Sequence, residues 1–103
     1  MKRKFKILNI DHVAVATNEM NELKHVLVDI LGMDFSSKEH VSEELVDVVK
    51  IFSNNQETAI ELLESTSSKS IIDKYINNRG PGIHHIALTV DSIENAIIYL
   101  KNN

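Results

Sequence analysis

No cysteine occurs anywhere in the chain, which excludes a disulfide-stapled scaffold, a thiolate zinc knuckle and a thiol nucleophile. A cytoplasmic setting is the expectation that follows. Long apolar runs are missing too, so no segment reads as a membrane span. The basic start Met1-Lys2-Arg3-Lys4 lacks the apolar stretch of a signal peptide behind it, and no lipid anchor is expected. Positive charge is in short supply. With 11 Lys and Arg against 15 Asp and Glu, the formal net charge is -4, the wrong sign for the field that nucleic-acid phosphates require. Neither a membrane nor a nucleic-acid partner is expected, and the basic residues among the first six read as a solubilising arm. Proline and glycine are scarce, at 1 and 3 copies, so the cluster Gly80-Pro81-Gly82 marks a sharp internal boundary.

What is present suits one small domain. The 103 residues are 43% hydrophobic and 25% charged, enough for a thin core that a second copy or a bound metal would strengthen. The chain also repeats itself. Displaced by 73 positions, Ile10-Asp11-His12-Val13-Ala14-Val15-Ala16-Thr17 overlies Ile83-His84-His85-Ile86-Ala87-Leu88-Thr89-Val90, and the helical stripe that follows matches through Leu27 and Leu100.

Period-two alternation makes Ile7 to Thr17 a strand, with His12, Ala14 and Ala16 on one face and Val13 and Val15 on the other. Asn18 is placed to cap a helix striped by Met20, Leu23, Leu27, Ile30 and Leu31 and stopped by Gly32. Three strands follow, at Phe35 to Val41, Leu45 to Phe52 and Ala59 to Leu63, which completes a βαβββ unit over residues 1–66. A connector at 67–82 holds a short helix from Ser70 to Asn77. The second copy occupies 83–103, its helix opened by Asp91 and Glu94 in capping-box spacing. The expected fold class is therefore α+β, a single domain of paired βαβββ modules. The second module is incomplete, because three of its strands would lie beyond Asn103.

A histidine alone in a strand is usually a hydrogen-bonded structural residue. Here His12 and His85 occupy the same place in two related units, so both imidazoles are expected in one concavity, where neutral ring nitrogens are good ligands for a divalent ion. Glu61 is a second exception, a carboxylate within Ala59-Ile60-Glu61-Leu62-Leu63 on the face of Ala59 and Leu63. His84 is expected on the opposite face from His85, and His25 and His40 at the surface. Glu43, Glu44 and Asp47 form an acidic cluster, any member of which would serve as a base if it faced the cavity.

Ile10-Asp11-His12-Val13-Ala14-Val15, Ile30-Leu31-Gly32-Met33, Ile60-Glu61-Leu62-Leu63-Glu64 and Gly80-Pro81-Gly82-Ile83-His84-His85-Ile86-Ala87 resemble the vicinal oxygen chelate superfamily and, within it, the methylmalonyl-CoA epimerases. The resemblance implies a divalent metal held by two histidines and two carboxylate or amide side chains, one from each of four strands. Carried over by position, His12, Glu61 and His85 are three of the ligands, and the fourth, a glutamate, falls beyond Asn103. Cobalt, manganese, nickel, zinc and magnesium are not distinguished. The implied activity is epimerisation of an acyl-CoA, methylmalonyl-CoA, at its alpha carbon through a metal-stabilised enolate. A glutamate that some relatives carry on the strand Leu45 to Phe52 falls on Val48 here, so no catalytic base is assigned. A homodimer is expected from the unpaired edge at Ile83 to Val90. The alternatives are a glyoxalase-like lyase or dioxygenase on the same fold, or a non-catalytic binding or truncated module.

Overall fold

Alternating strands and three helices assemble into an α+β layer structure, and the computed structural model describes residues 2–103. Strand β1 is Ile7–Ala16, and helix α1, Met20–Lys24, continues as a π-helical stretch His25–Ile30. Then come β2 Asp34–Phe35, β3 Glu39–Val41, β4 Val46–Phe52 and β5 Ala59–Ser65. Helix α2, Ile71–Arg79, leads into β6 Gly82–Val90 and α3 Ile93–Lys101. The strand expected from Phe35 to Val41 is broken in two. Both pieces pair with β4, and Ser36 separates them by exchanging hydrogen bonds with the Lys50 backbone, the second through its own hydroxyl.

All strands join one sheet in the order β2-β4-β5-β1-β6, with β3 also on β4. β1 runs parallel to β5 and antiparallel to β6. In the second pairing Val13 lies opposite Ile86, its own counterpart in the repeat, while His12 faces Ala87 and Ala14 faces His85. The sequence repeat is thus a local twofold relation between two neighbouring strands.

Each sheet face carries its own core. Ala14, Ala16, Val46 and Leu63 pack with Ile72 and Ile76 of α2, and Val49, Ile51 and Leu62 pack with Met20 at the start of α1. Burying a side chain such as Ile51 or Leu62 stabilises the fold by about 1.5–3 kcal/mol. His12 shares the α2 face with Ala14 and Ala16.

Three helix details differ from expectation. Asn18 does not cap α1; Met20 N–H donates to the Glu64 carboxylate at 3.0 Å, from a strand 44 residues away, which also sets an anion at the positive helix end. Ile30 and Leu31 leave the apolar stripe and are exposed, because the π-helical stretch turns fewer degrees per residue and rotates them off the core. At α3 the cap is Ser92, whose hydroxyl accepts from Asn95 N–H at 3.2 Å. Asp91 instead accepts from Lys6 N–H at 2.8 Å, and Phe5 meets Tyr99 edge-on with centroids 5.8 Å apart. The basic arm is therefore fastened to α3. Helix α2 starts on the buried Ser70 and ends at Gly80, whose φ of 79° suits glycine.

Candidate metal centre

Strands β5, β1 and β6 lie side by side and deliver one exceptional side chain each. Ala14 of β1 is opposite both Glu61 on β5 and His85 on β6. Its methyl group leaves the space over the central strand open to side chains from either flank. His12, two residues earlier on the same strand, closes that space along the strand axis. The His12 and His85 Nε2 atoms stand 3.2 Å apart, and His12 Nδ1 is 3.1 Å from Glu61 Oε2. His12 and Glu61 keep side-chain exposures of only 18% and 15%, so a carboxylate and an imidazole are held together largely out of water.

His84 departs from expectation. Strict alternation sends it away from His85, yet their Nδ1 atoms are 2.8 Å apart and both side chains line the same cavity. The register explains this: Ala14 pairs with His85 and Val15 with Ile83, so His84 is an additional residue in a β-bulge. Asp11 was not foreseen either. Its Oδ2 is 2.8 Å from His12 Nδ1, again at a bulge, between the pairs Ile10 with Leu88 and His12 with Ala87. The available signal was positional, since Asp11 and His84 are counterparts in the repeat.

Electrostatics favour neutral imidazole. Desolvation, aided by His84 and His12 alongside, holds the His85 pKa below its usual 6.5 against the opposing charges of Glu61 and Glu44.

Two imidazoles and a carboxylate are donors that suit many divalent cations, and separations near 3.2 Å match neighbouring ligands on an ion with bonds of about 2.1 Å. The donor set fits. Among the described residues, however, no three such side chains converge on one point: Glu61 meets the Nδ1 edge of His12, while His85 meets the Nε2 edge.

A cavity of about 510 Å³ opens on this face. Val41, Val46, Val48 and Leu63 give it apolar walls, and Glu39, Glu44 and Lys50 add charge. Glu44 is the one member of the acidic cluster that lines it, for Asp47 is engaged by His40 at 2.9 Å and Lys38 at 3.8 Å. Glu39 lies directly across from Val48. His25 pairs with Asp29 at 2.8 Å on the exposed side of the first helix, outside the site.

A profile of the Glyoxalase/Bleomycin resistance protein/Dioxygenase superfamily matches residues 11–103. The chain belongs to this superfamily. It is 36% identical over 95 residues to the mitochondrial methylmalonyl-CoA epimerase of Dictyostelium discoideum, covering 91% of this chain and 56% of that protein. Among solved structures, a hypothetical protein of Bacillus halodurans matches with TM-score 0.82 and 34% identity, over 97% of this chain and 69% of that one. The methylmalonyl-CoA epimerase of Mycobacterium tuberculosis shares the fold at TM-score 0.78 and 24% identity, over 99% and 68% of the two chains. As a superfamily member, the chain spans about half the length of the curated relatives it matches.

Proposed function

We propose that this superfamily member is a metal-dependent epimerase of methylmalonyl-CoA, with His12, Glu61 and His85 as ligands of a divalent cation. The observation that carries the reading is the meeting of two repeat-related histidines and Glu61 beside an apolar cavity, in a chain similar to named epimerases. A bound cation would supply Lewis-acid charge where the substrate becomes an enolate.

The remaining work belongs to the chain's own residues. His12, Glu61 and His85 would hold the cation, and the partial burial of His12 and Glu61 strengthens their electrostatic influence. Val41, Val46, Val48 and Leu63 exclude water from the acyl portion. Epimerisation removes a proton from one face of the alpha carbon and returns one to the other. Glu39 and Glu44 are the cavity carboxylates outside the ligand set, and they are the groups available for that transfer.

The test is exchange of the alpha proton. Protein stripped with a chelator is loaded with single divalent ions and incubated with methylmalonyl-CoA in deuterated water. Loss of the alpha-proton NMR signal in the presence of at least one ion is expected. Bound metal without exchange under any ion would overturn the epimerase reading. The rival is a dioxygenase, because two histidines and one carboxylate are also the donor set of non-haem iron oxygenases. Oxygen consumption with Fe(II) and a catechol, without exchange on the thioester, would decide for it.

A further inference from the structure

The two β-bulges recur with the repeat. Asp11 is the additional residue before His12, and His84 the additional residue before His85. A bulge breaks the alternation that normally sends consecutive side chains to opposite faces, so each of these residues turns toward the histidine that follows it. The contacts are specific to one ring atom. Asp11 Oδ2 lies 2.8 Å from His12 Nδ1, and His84 Nδ1 lies 2.8 Å from His85 Nδ1. Both Nε2 atoms are left facing each other at 3.2 Å. His84 is itself fixed, since Tyr75 meets its ring edge-on at 4.8 Å and donates its hydroxyl hydrogen to the Ile83 carbonyl at 2.6 Å.

We propose that Asp11 and His84 are positioning residues, each holding Nδ1 of the next histidine so that Nε2 is presented to a cation. This rests on the reading of His12 and His85 as ligands. The proton arrangement follows from donor capacity. A carboxylate only accepts, so His12 carries its proton on Nδ1 and has a free lone pair on Nε2. Without a cation, the 3.2 Å contact is then bridged by a proton on His85 Nε2, and His85 Nδ1 accepts from His84 Nδ1–H. With a cation, His85 must release Nε2, so its proton moves to Nδ1 and His84 becomes the acceptor with its proton on Nε2. His84 can do this because a neutral imidazole carries its proton on either nitrogen. Hydrogen-bonded partners on the far ring nitrogen fix the tautomer and orientation of ligating histidines.

Two measurements on the full chain test the proposal. Long-range ¹H–¹⁵N spectra of the imidazoles, recorded above the histidine pH range, read the tautomers without and with zinc. Because Glu61 Oε2 also stands 3.1 Å from His12 Nδ1, the expected result without zinc is Nδ1–H at His12 in the wild type and in Glu61→Ala, where Asp11 is the remaining acceptor. That preference should be kept in Glu61→Ala combined with Asp11→Asn and lost in Glu61→Ala combined with Asp11→Ala. Addition of zinc should switch His84 from Nδ1–H to Nε2–H. Calorimetric zinc titration should show affinity about 10- to 100-fold weaker in Asp11→Ala and His84→Ala, with Asp11→Asn closer to wild type. Circular dichroism melts confirm that the variants are folded. Wild-type zinc affinity in both alanine variants, or the same His12 tautomer in Glu61→Ala with and without Asp11→Ala, overturns the positioning role. Failure of the wild type to bind zinc or any other divalent ion overturns the ligand reading itself, a result distinct from equal binding by wild type and variants.

Discussion

Five histidines in one short chain occupy two different settings, and the differences lie in what each ring nitrogen meets. His25 and His40 each face one aspartate at the surface, where solvent screening leaves such contacts little weight. His12, His84 and His85 form a connected series that ends on Asp11 and Glu61. Replacing His12, Glu61 or His85 by Ala should therefore weaken zinc binding by more than about 100-fold, beyond the loss of an outer partner. His25→Ala and His40→Ala should bind like wild type and shift stability within about 0.5 kcal/mol; calorimetry and urea melts read both quantities. His85 also makes a pH prediction. Its folded pKa is held below 6.5 by desolvation and its histidine neighbours, so below pH 6.5 the unfolded chain binds more protons at this site. Stability contributed through His85 is then constant above that pH, falls as pH drops toward the folded pKa, and levels off beneath it. Urea midpoints measured in chelator from pH 7.5 down to 4.5, an interval bracketing about 6.5, should fall less steeply for His85→Ala than for wild type. Parallel curves would remove the shift.

At the scale of elements, the order of strands and helices and the contact of His12 with His85 were legible because they rest on periodicity and on the repeat. Local rules failed where the decisive partner is distant or where periodicity is broken. Asn18 has the chemistry of a cap, but Glu64 instead accepts from the Met20 amide at the start of α1, a contact set by tertiary packing. Two-residue alternation puts His84 on the wrong face because it assumes an unbroken strand, and the bulge that turns it exists only in the pairing of β1 with β6. The cap of α2 is local, although the expected helix already begins at Ser70 and the observed one begins at Ile71. Ser70 sits immediately before Ile71, and it is buried while its hydroxyl accepts from Ile72 N–H at 3.1 Å. Ser70→Ala leaves that amide without its partner and should cost about 1 kcal/mol, read as a lower urea midpoint with an unchanged slope. Because α2 packs beside Leu63 on the site face, its loosening should also broaden the cavity wall. An unchanged midpoint would show that the cap bond contributes nothing net.

The whole molecule is more open than its length requires. Its radius of gyration is 15.9 Å and its extents are 45 × 34 × 23 Å, against about 13 Å for a compact chain near 100 residues. The excess reflects one incompletely covered side. β6 ends the sheet, with Ile86 and Leu88 exposed, and α3 leaves Ile93, Ile97, Ile98 and Leu100 facing water. Unpaired backbone on an edge strand and apolar groups beside it both favour pairing with another chain. The local twofold between β1 and β6 shows that this sequence supports antiparallel pairing of such strands. A second copy joined along β6 would satisfy the edge and cover α3 together. Sedimentation velocity at micromolar concentration should therefore find a dimer or larger species. Ile86→Lys, which places a charge at the centre of that edge, should shift the population to monomer while leaving the far-ultraviolet spectrum unchanged. A monomeric wild type would refute the self-association, and a dimer that persists in Ile86→Lys would refute β6 as its seam.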